Sequence, residues 1–302
     1  MAIIEIFIHY SRYLVISVLF SACHGQIPLE EERRTGNPVV FYAQNSQSPV
    51  TVLPDAGSID ESPILARRRT VILVHGHSGS AFTSLNPVVK DAILMANDFN
   101  VVVVDWSVYA GLGYSIAVGQ VQLVAEEVAA FIRLLVAGGR VTAYDQLHLV
   151  GFNLGAHVVG ITGRLLNGAV GRITGLDPSG NQWGSTSPRL RISDAIYVEV
   201  IHTDGRGILA NGIGTPLGNI DFFANGGNSQ PGCFSHACCH ERAYELFAAS
   251  MINPNLVGRP CTSSAQLNLN LCGGLPVAMG GTELSKVGSG TYRVNTRRNY
   301  PF

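Results

Sequence analysis

Positive charge is scarce in this chain. Of 302 residues only 20 are Lys or Arg, against 21 Asp and Glu, for a net charge of −1. Two of the cations are lysines, Lys90 and Lys286, and no basic run is longer than Arg67-Arg68-Arg69. A protein held on nucleic acid by counterion release needs a basic patch, so nucleic acid is excluded as a main partner. Charged residues of both signs make up 14% of the chain and apolar residues 46%. An average soluble domain carries roughly 25% charge, and a disordered chain carries more charge and less apolar surface than this one. Among the six cysteines no two have C-x-x-C spacing, and Cys238-Cys239 are vicinal, so no metal is expected, and no cofactor. No N-x-S/T sequon occurs, so no N-linked glycan is expected. Beyond the N-terminus, no segment reads as long and apolar enough to span a bilayer.

The N-terminus itself is apolar. Tyr13–Phe20 forms an uninterrupted run after Arg12, and small residues follow up to Gly25. This pattern predicts a secretory signal peptide over residues 1–25, with the mature chain starting at residue 26. Glu5, His9 and Arg12 interrupt the alternative, a signal anchor, which wants roughly 20 apolar residues. Removal of Cys23 leaves five cysteines in an oxidising compartment, an odd number.

Apolar runs then alternate with segments of helical periodicity. Strands are expected at 39–42, 70–75, 100–106, 146–152, 172–176 and 195–201. Helices are expected at 87–97, 115–137, 154–166 and 240–251. Continuous apolar strands alternating with helices imply an α/β domain, its mostly parallel sheet covered on both faces. Residues 205–239, rich in Gly, Asn and Pro, read as one long functional loop. No repeat or linker appears, so residues 26–302 are expected to form a single domain.

Three residues in this frame carry chemistry. Gly151-Phe152-Asn153-Leu154-Gly155 lies between a strand and a helix, the setting of a nucleophile elbow, but its central residue is Asn153. Asp177 follows the next strand in Gly175-Leu176-Asp177-Pro178, where acids of α/β enzymes belong. His240 follows the long loop in Cys238-Cys239-His240-Glu241-Arg242. The order is nucleophile position, acid, base. Val74-His75-Gly76-His77 ends the first central strand, where an oxyanion-binding amide would arise, with the Leu154 amide as the second donor.

Together with Val104-Asp105-Trp106-Ser107, Leu149–Gly160, His202-Thr203-Asp204-Gly205, Asp221–Gly227, Gln230–Cys233 and the ending Tyr292–Phe302, these motifs make the chain resemble the animal pancreatic lipase family. The likeness is greatest to its short-lid, phospholipase A1-like and insect members. The resemblance implies an α/β-hydrolase fold with His240 as base, Asp177 as its acid and oxyanion amides at His77 and Leu154. It also implies bridges Cys233–Cys238 and Cys261–Cys272, which leave Cys239 as the odd thiol. The chain departs from the family in three ways. Asn153 stands where the family has its nucleophilic serine. Only four residues separate the cysteines of the lid. The sequence ends where the catalytic domain ends, so no C-terminal PLAT domain is expected.

An asparagine amide has no ionisable oxygen–hydrogen bond for a base to use. Loss of the serine from such a triad costs about 10⁶ in kcat, roughly 8 kcal/mol. Ser78, Ser80 and Ser115 lie outside the elbow. The leading expectation is therefore a secreted, catalytically impaired lipase homologue that binds a lipid, an acyl ester or a protein partner, with no more than peripheral contact to a lipid interface. An active carboxylic ester hydrolase and a secreted yolk-type storage protein are the alternatives.

Overall fold

In the computed structural model, which describes residues 38–45 and 48–302, the strands are β1 (Val40–Gln44), β2 (Val50–Val52), β3 (Thr70–Val74), β4 (Asn100–Asp105), β5 (Leu147–Phe152), β6 (Arg172–Leu176), β7 (Tyr197–His202), β8 (Ile220–Ala224), β9 (Val257–Pro260), β10 (Val277–Ala278) and β11 (Gly290–Val294). The helices are α1 (Ala56–Glu61), α2 (Leu85–Ala96), α3 (Ser107–Ala110), α4 (Tyr114–Ala137), α5 (Leu154–Leu165), α6 (His236–Ala249) and α7 (Ser264–Leu269). The expected signal peptide and Cys23 lie outside the described residues.

All eleven strands share one sheet in the order β10-β9-β11-β8-β7-β6-β5-β3-β4-β1-β2. Strands β3 to β8 and β11 run parallel, and β1, β2, β9 and β10 close the two edges in antiparallel pairs. The central strands are buried end to end, and their side chains alternate between two cores. Ile72, Val102, Leu149 and Ile173 meet α4 and α5 on one face. Leu73, Val103, Val150 and Leu176 meet α2 and α6 on the other. Buried side chains of this size stabilise by about 1.5–3 kcal/mol each relative to exposure. This is the α/β-hydrolase architecture, with the carboxyl ends of β3, β5 and β6 pointing to one rim.

Two expectations are corrected here. Residues 205–239 are not one loop, because β8 runs through them between β7 and β11. Its Asp221 broke the apolar run, yet the carboxylate is buried, accepting from His202 Nε2 at 2.8 Å and from the Leu217 amide at 2.8 Å. Helix α4, of 24 residues, is long and apolar enough to cross a membrane, contrary to the expectation from its sequence. Its Val121, Val124, Val128 and Ile132 are instead buried in the core against the sheet and α5.

Candidate active site

The rim is built around a sharp reversal. Strand β5 ends at Phe152, α5 begins at Leu154, and Asn153 between them has φ 56° and ψ −117°. A non-glycine residue held there costs on the order of 1–3 kcal/mol, so the surroundings must fix it. They do so through the backbone. The Asn153 amide donates to Leu176 O at 3.2 Å, and its carbonyl accepts from the Ala156 and Ser179 amides. The first turn of α5 lies so close to β3 that a Cβ on Gly155 would sit 2.2 Å from Val74 O. That close approach explains the glycine at this position.

The Asn153 side chain spans the site. Its Oδ1 accepts from the His77 amide at 3.1 Å, and its Nδ2 donates to His240 Nε2 at 2.9 Å. A backbone amide can only donate, so it fixes which end of the carboxamide is oxygen. His240 Nδ1 donates to Asp177 Oδ2 at 2.6 Å, so the imidazole carries its proton on Nδ1 and offers Nε2 as acceptor. Asp177 is fully buried, and its other oxygen accepts from the Thr203 and Asp204 amides at 2.8 and 3.1 Å. The result is one polar chain: Asp177, His240, Asn153 and the His77 amide.

Sequence-predicted Asn153, Asp177, His240 and His77 therefore converge. Leu154 sits at the first position of α5 as expected, but its amide makes no hydrogen bond with the described residues. His240 lies in the second turn of α6, not at the helix start. Ser235 caps that helix by accepting from the Cys238 amide. Phe152 packs on the His240 ring at 4.5 Å between centroids. Ser78, Ser80 and Ser115 bond elsewhere, to His77, Thr83 and Gln182.

The sequence reading missed the residues that orient the His77 peptide. His75 is fully buried, and its Nδ1 donates to Gly76 O at 2.9 Å, which turns that carbonyl away and leaves the His77 amide facing Asn153. The Trp106 indole holds the preceding carbonyl, His75 O, at 2.9 Å. A Cβ on Gly76 would lie 2.5 Å from Asn153 Cβ, so this peptide approaches the elbow only as glycine. The available signal was the fully apolar strand β3 ending in two histidines and a glycine.

A cleft of about 870 Å³ opens onto Asn153 and His240. Tyr114, Tyr244, Ser179, Ile208 and Leu209 line it further out. Burial pushes both tyrosine hydroxyls above their ordinary pKa, so they remain neutral hydrogen-bonding groups. The rim is apolar at Ile208 and Leu209, exposed at 102% and 74%, and a further exposed apolar side chain, Phe234, stands at 94%. Phe234 lies in the loop closed by the Cys233–Cys238 bridge. Asp204, beside the Ile208 loop, is tied to that bridged loop by His236 Nδ1, which donates to its Oδ1 at 2.6 Å. Cys261 and Cys272 form the second bridge, and Cys239 is a free, buried thiol. Among the described residues no His, Cys, Asp and Glu cluster could hold a metal ion.

The likeness suggested by the motifs holds across the chain. A family model described as Lipase matches residues 26–294. Lipase member H-A of Xenopus laevis is 37% identical over 248 residues, which is 78% of this chain and 53% of that protein. Phospholipase A1 member A of Bos taurus is 36% identical over 225 residues, 70% of this chain and 48% of that protein. Pancreatic triacylglycerol lipase of Homo sapiens is 32% identical over 268 residues, 80% of this chain and 57% of that protein. The chain thus spans about half the length of the curated relatives it matches. With the family model covering most of its length, the chain belongs to the lipase family.

Proposed function

We propose that this protein is a secreted member of the lipase family in which the acyl-transfer site is disabled and its cleft retained for binding a lipid or acyl ester. The observation that carries this reading is the Asn153 carboxamide, bonded at once to the His77 amide and to His240 Nε2. In an ester hydrolase of this type the base must face a hydroxyl whose proton it can take, and the oxyanion amide must be free for the substrate carbonyl. Here one amide side chain occupies both positions. The roles of His240 as base, Asp177 as its orienting acid and His77 and Leu154 as oxyanion donors belong to this proposal.

Binding is supported by the rim. Ile208 and Leu209 line the cleft and are exposed, and Phe234 exposes a further apolar side chain in the Cys233–Cys238 loop, a pattern that marks contact with another apolar phase. Relatives bearing the names phospholipase A1 and triacylglycerol lipase make acyl esters of phospholipid or neutral lipid the natural ligand class. Two bridges suit an extracellular setting. The test is co-sedimentation with phosphatidylcholine vesicles containing diacylglycerol. Binding by the native chain that falls at least tenfold in Ile208→Ser/Leu209→Ser/Phe234→Ser is expected. No binding by the native chain would overturn the lipid part of the proposal.

A further inference from the structure

The hydrogen bonds of Asn153 are those of a substrate. Its side chain is a primary carboxamide, a carbonyl compound with an amine leaving group. The carbonyl oxygen is held by the peptide N–H of His77 at 3.1 Å, and the amide nitrogen lies 2.9 Å from the imidazole Nε2 of His240. Asp177 holds that imidazole from behind at 2.6 Å with its proton on Nδ1, so Nε2 carries the lone pair that accepts the Asn153 Nδ2–H at rest and that takes a water proton once that bond turns aside. The cleft that opens on both residues admits water.

We infer that the site acts on its own residue and hydrolyses the Asn153 carboxamide to aspartate. Water from the cleft attacks Cγ. A new C–O bond forms while a water proton passes to His240 Nε2, and the C=O electron pair moves onto Oδ1, where the His77 N–H stabilises it. The intermediate collapses as the C–Nδ2 bond breaks. The proton on Nε2 goes to the departing nitrogen and ammonia leaves. Side-chain carboxamide and water become carboxylate and ammonium, with no other reactant. The step uses one base, one oxyanion donor and a polarised carbonyl, and it needs no nucleophilic side chain. It does not rest on the ligand reading of the cleft.

The chain carries its own controls. Asn167-Gly168 and Asn225-Gly226 are Asn-Gly pairs outside the cleft lining and serve as the controls, whereas Asn211-Gly212 packs on Asp177 within the site and does not. Attack by the following backbone nitrogen at such sites passes through a cyclic imide and gives a mixture of aspartate and isoaspartate. Direct hydrolysis at Asn153 gives aspartate alone.

The test is peptide mapping by mass spectrometry after incubation of the folded chain at neutral pH in ¹⁸O-water. Expected is a time-dependent gain of one ¹⁸O and loss of ammonia at residue 153, with no isoaspartate there. General acid–base assistance contributes on the order of 10²–10⁴, so His240→Ala should slow conversion at 153 by about 10²-fold while the control Asn-Gly sites keep their rates. Unfolding the native chain in urea, which needs no variant, should abolish the excess rate at 153. An intact Asn153 after the control Asn-Gly sites have converted would overturn the inference. So would isoaspartate at 153, or a rate unchanged in both His240→Ala and urea.

Discussion

The parallel sheet carries a buried polar cluster at each end, and the two are built to opposite rules. At the amino end, Arg172 of β6 and Glu199 of β7 pair at 3.0 Å in full burial, and Lys286 bonds the same carboxylate. Surplus donors go to the carbonyls of Ala278, Gly280, Gly281 and Glu283, while Arg172 Nε is buried without a partner. The cluster anchors the 278–286 segment under the sheet. At the carboxyl end, Asn153 and Asp177 have φ of 56° and 39°, and their chain of bonds ends on a cleft of about 870 Å³. The first cluster ties charge to backbone where the strands begin. The second holds strained residues in register where the strands end. Stability and site geometry are thereby assigned to different ends of the same strands.

The largest effect should come from the sealed end. Arg172→Met leaves buried Glu199 with Lys286 as its remaining cation beside the Gly280 amide, and strands the Gly281 and Glu283 carbonyls; removing one partner of a buried pair costs about 3–5 kcal/mol. Urea denaturation should show this loss, and a change under about 1 kcal/mol would break the contrast.

The next effect comes from one turn along α5. His157 is fully buried, accepting from the Leu190 amide at Nδ1 and donating to Ser179 O from Nε2. Burial lowers its pKa to about 3. Because the folded value lies below the ordinary 6.5, the unfolded chain takes up the proton first as pH falls. Stability from this residue is complete above about 6.5 and is lost at about 1.4 kcal/mol per pH unit down to about 3. Asp194 acts the other way, since burial raises its carboxyl to about 6 against the pull of Arg164. The comparison to make is therefore His157→Gln against the native chain, because glutamine can keep both bonds. The variant should gain about 1.4 kcal/mol per unit relative to the native chain between pH 6.5 and 4; parallel curves would refute the assignment.

Smaller still is the stability change at the open end. Asn153→Ser keeps the backbone reversal, which belongs to the fold, so stability should move by no more than about 1 kcal/mol. A loss above about 3 kcal/mol would mean that the amide bridge holds the turn. Least of all should be the response of Cys239. Its thiol is buried and its pKa pushed up by burial, so iodoacetamide should modify it only after unfolding. Rapid alkylation in the native state would contradict its packing.

The sheet was legible because β3, β4, β5 and β6 are short apolar runs with helices between them, and burial on both faces leaves no polar alternation to misread. Strand β8 was hidden by Asp221, whose neutralisation by His202 and two backbone amides only the fold supplies. Strands β9 and β11, toward one side of the sheet, are short, partly exposed and Gly-bearing, so no period marks them. At the site, Asn153 and Asp177 stood out because each follows a readable strand, and His240 because it lies in the Cys238-Cys239-His240-Glu241-Arg242 motif. His75 did not, since its work is to turn a peptide plane, and no spacing encodes that. The Asn153 bridge itself could be read only in three dimensions, because its partners come from residues 77 and 240.

The central claim is that an intact acid–base frame faces an amide where an acyl-transfer site needs a hydroxyl. The measurement that tests it most directly is hydrolysis of p-nitrophenyl butyrate and a fluorogenic phospholipid by the native chain, Asn153→Ser and Asn153→Ser/His240→Ala. The account predicts background rates for the native chain, a gain on the order of 10³-fold or more in Asn153→Ser, and loss of that gain when His240 is removed. Turnover by the native chain that disappears in His240→Ala, or a folded Asn153→Ser with no activity, would contradict it.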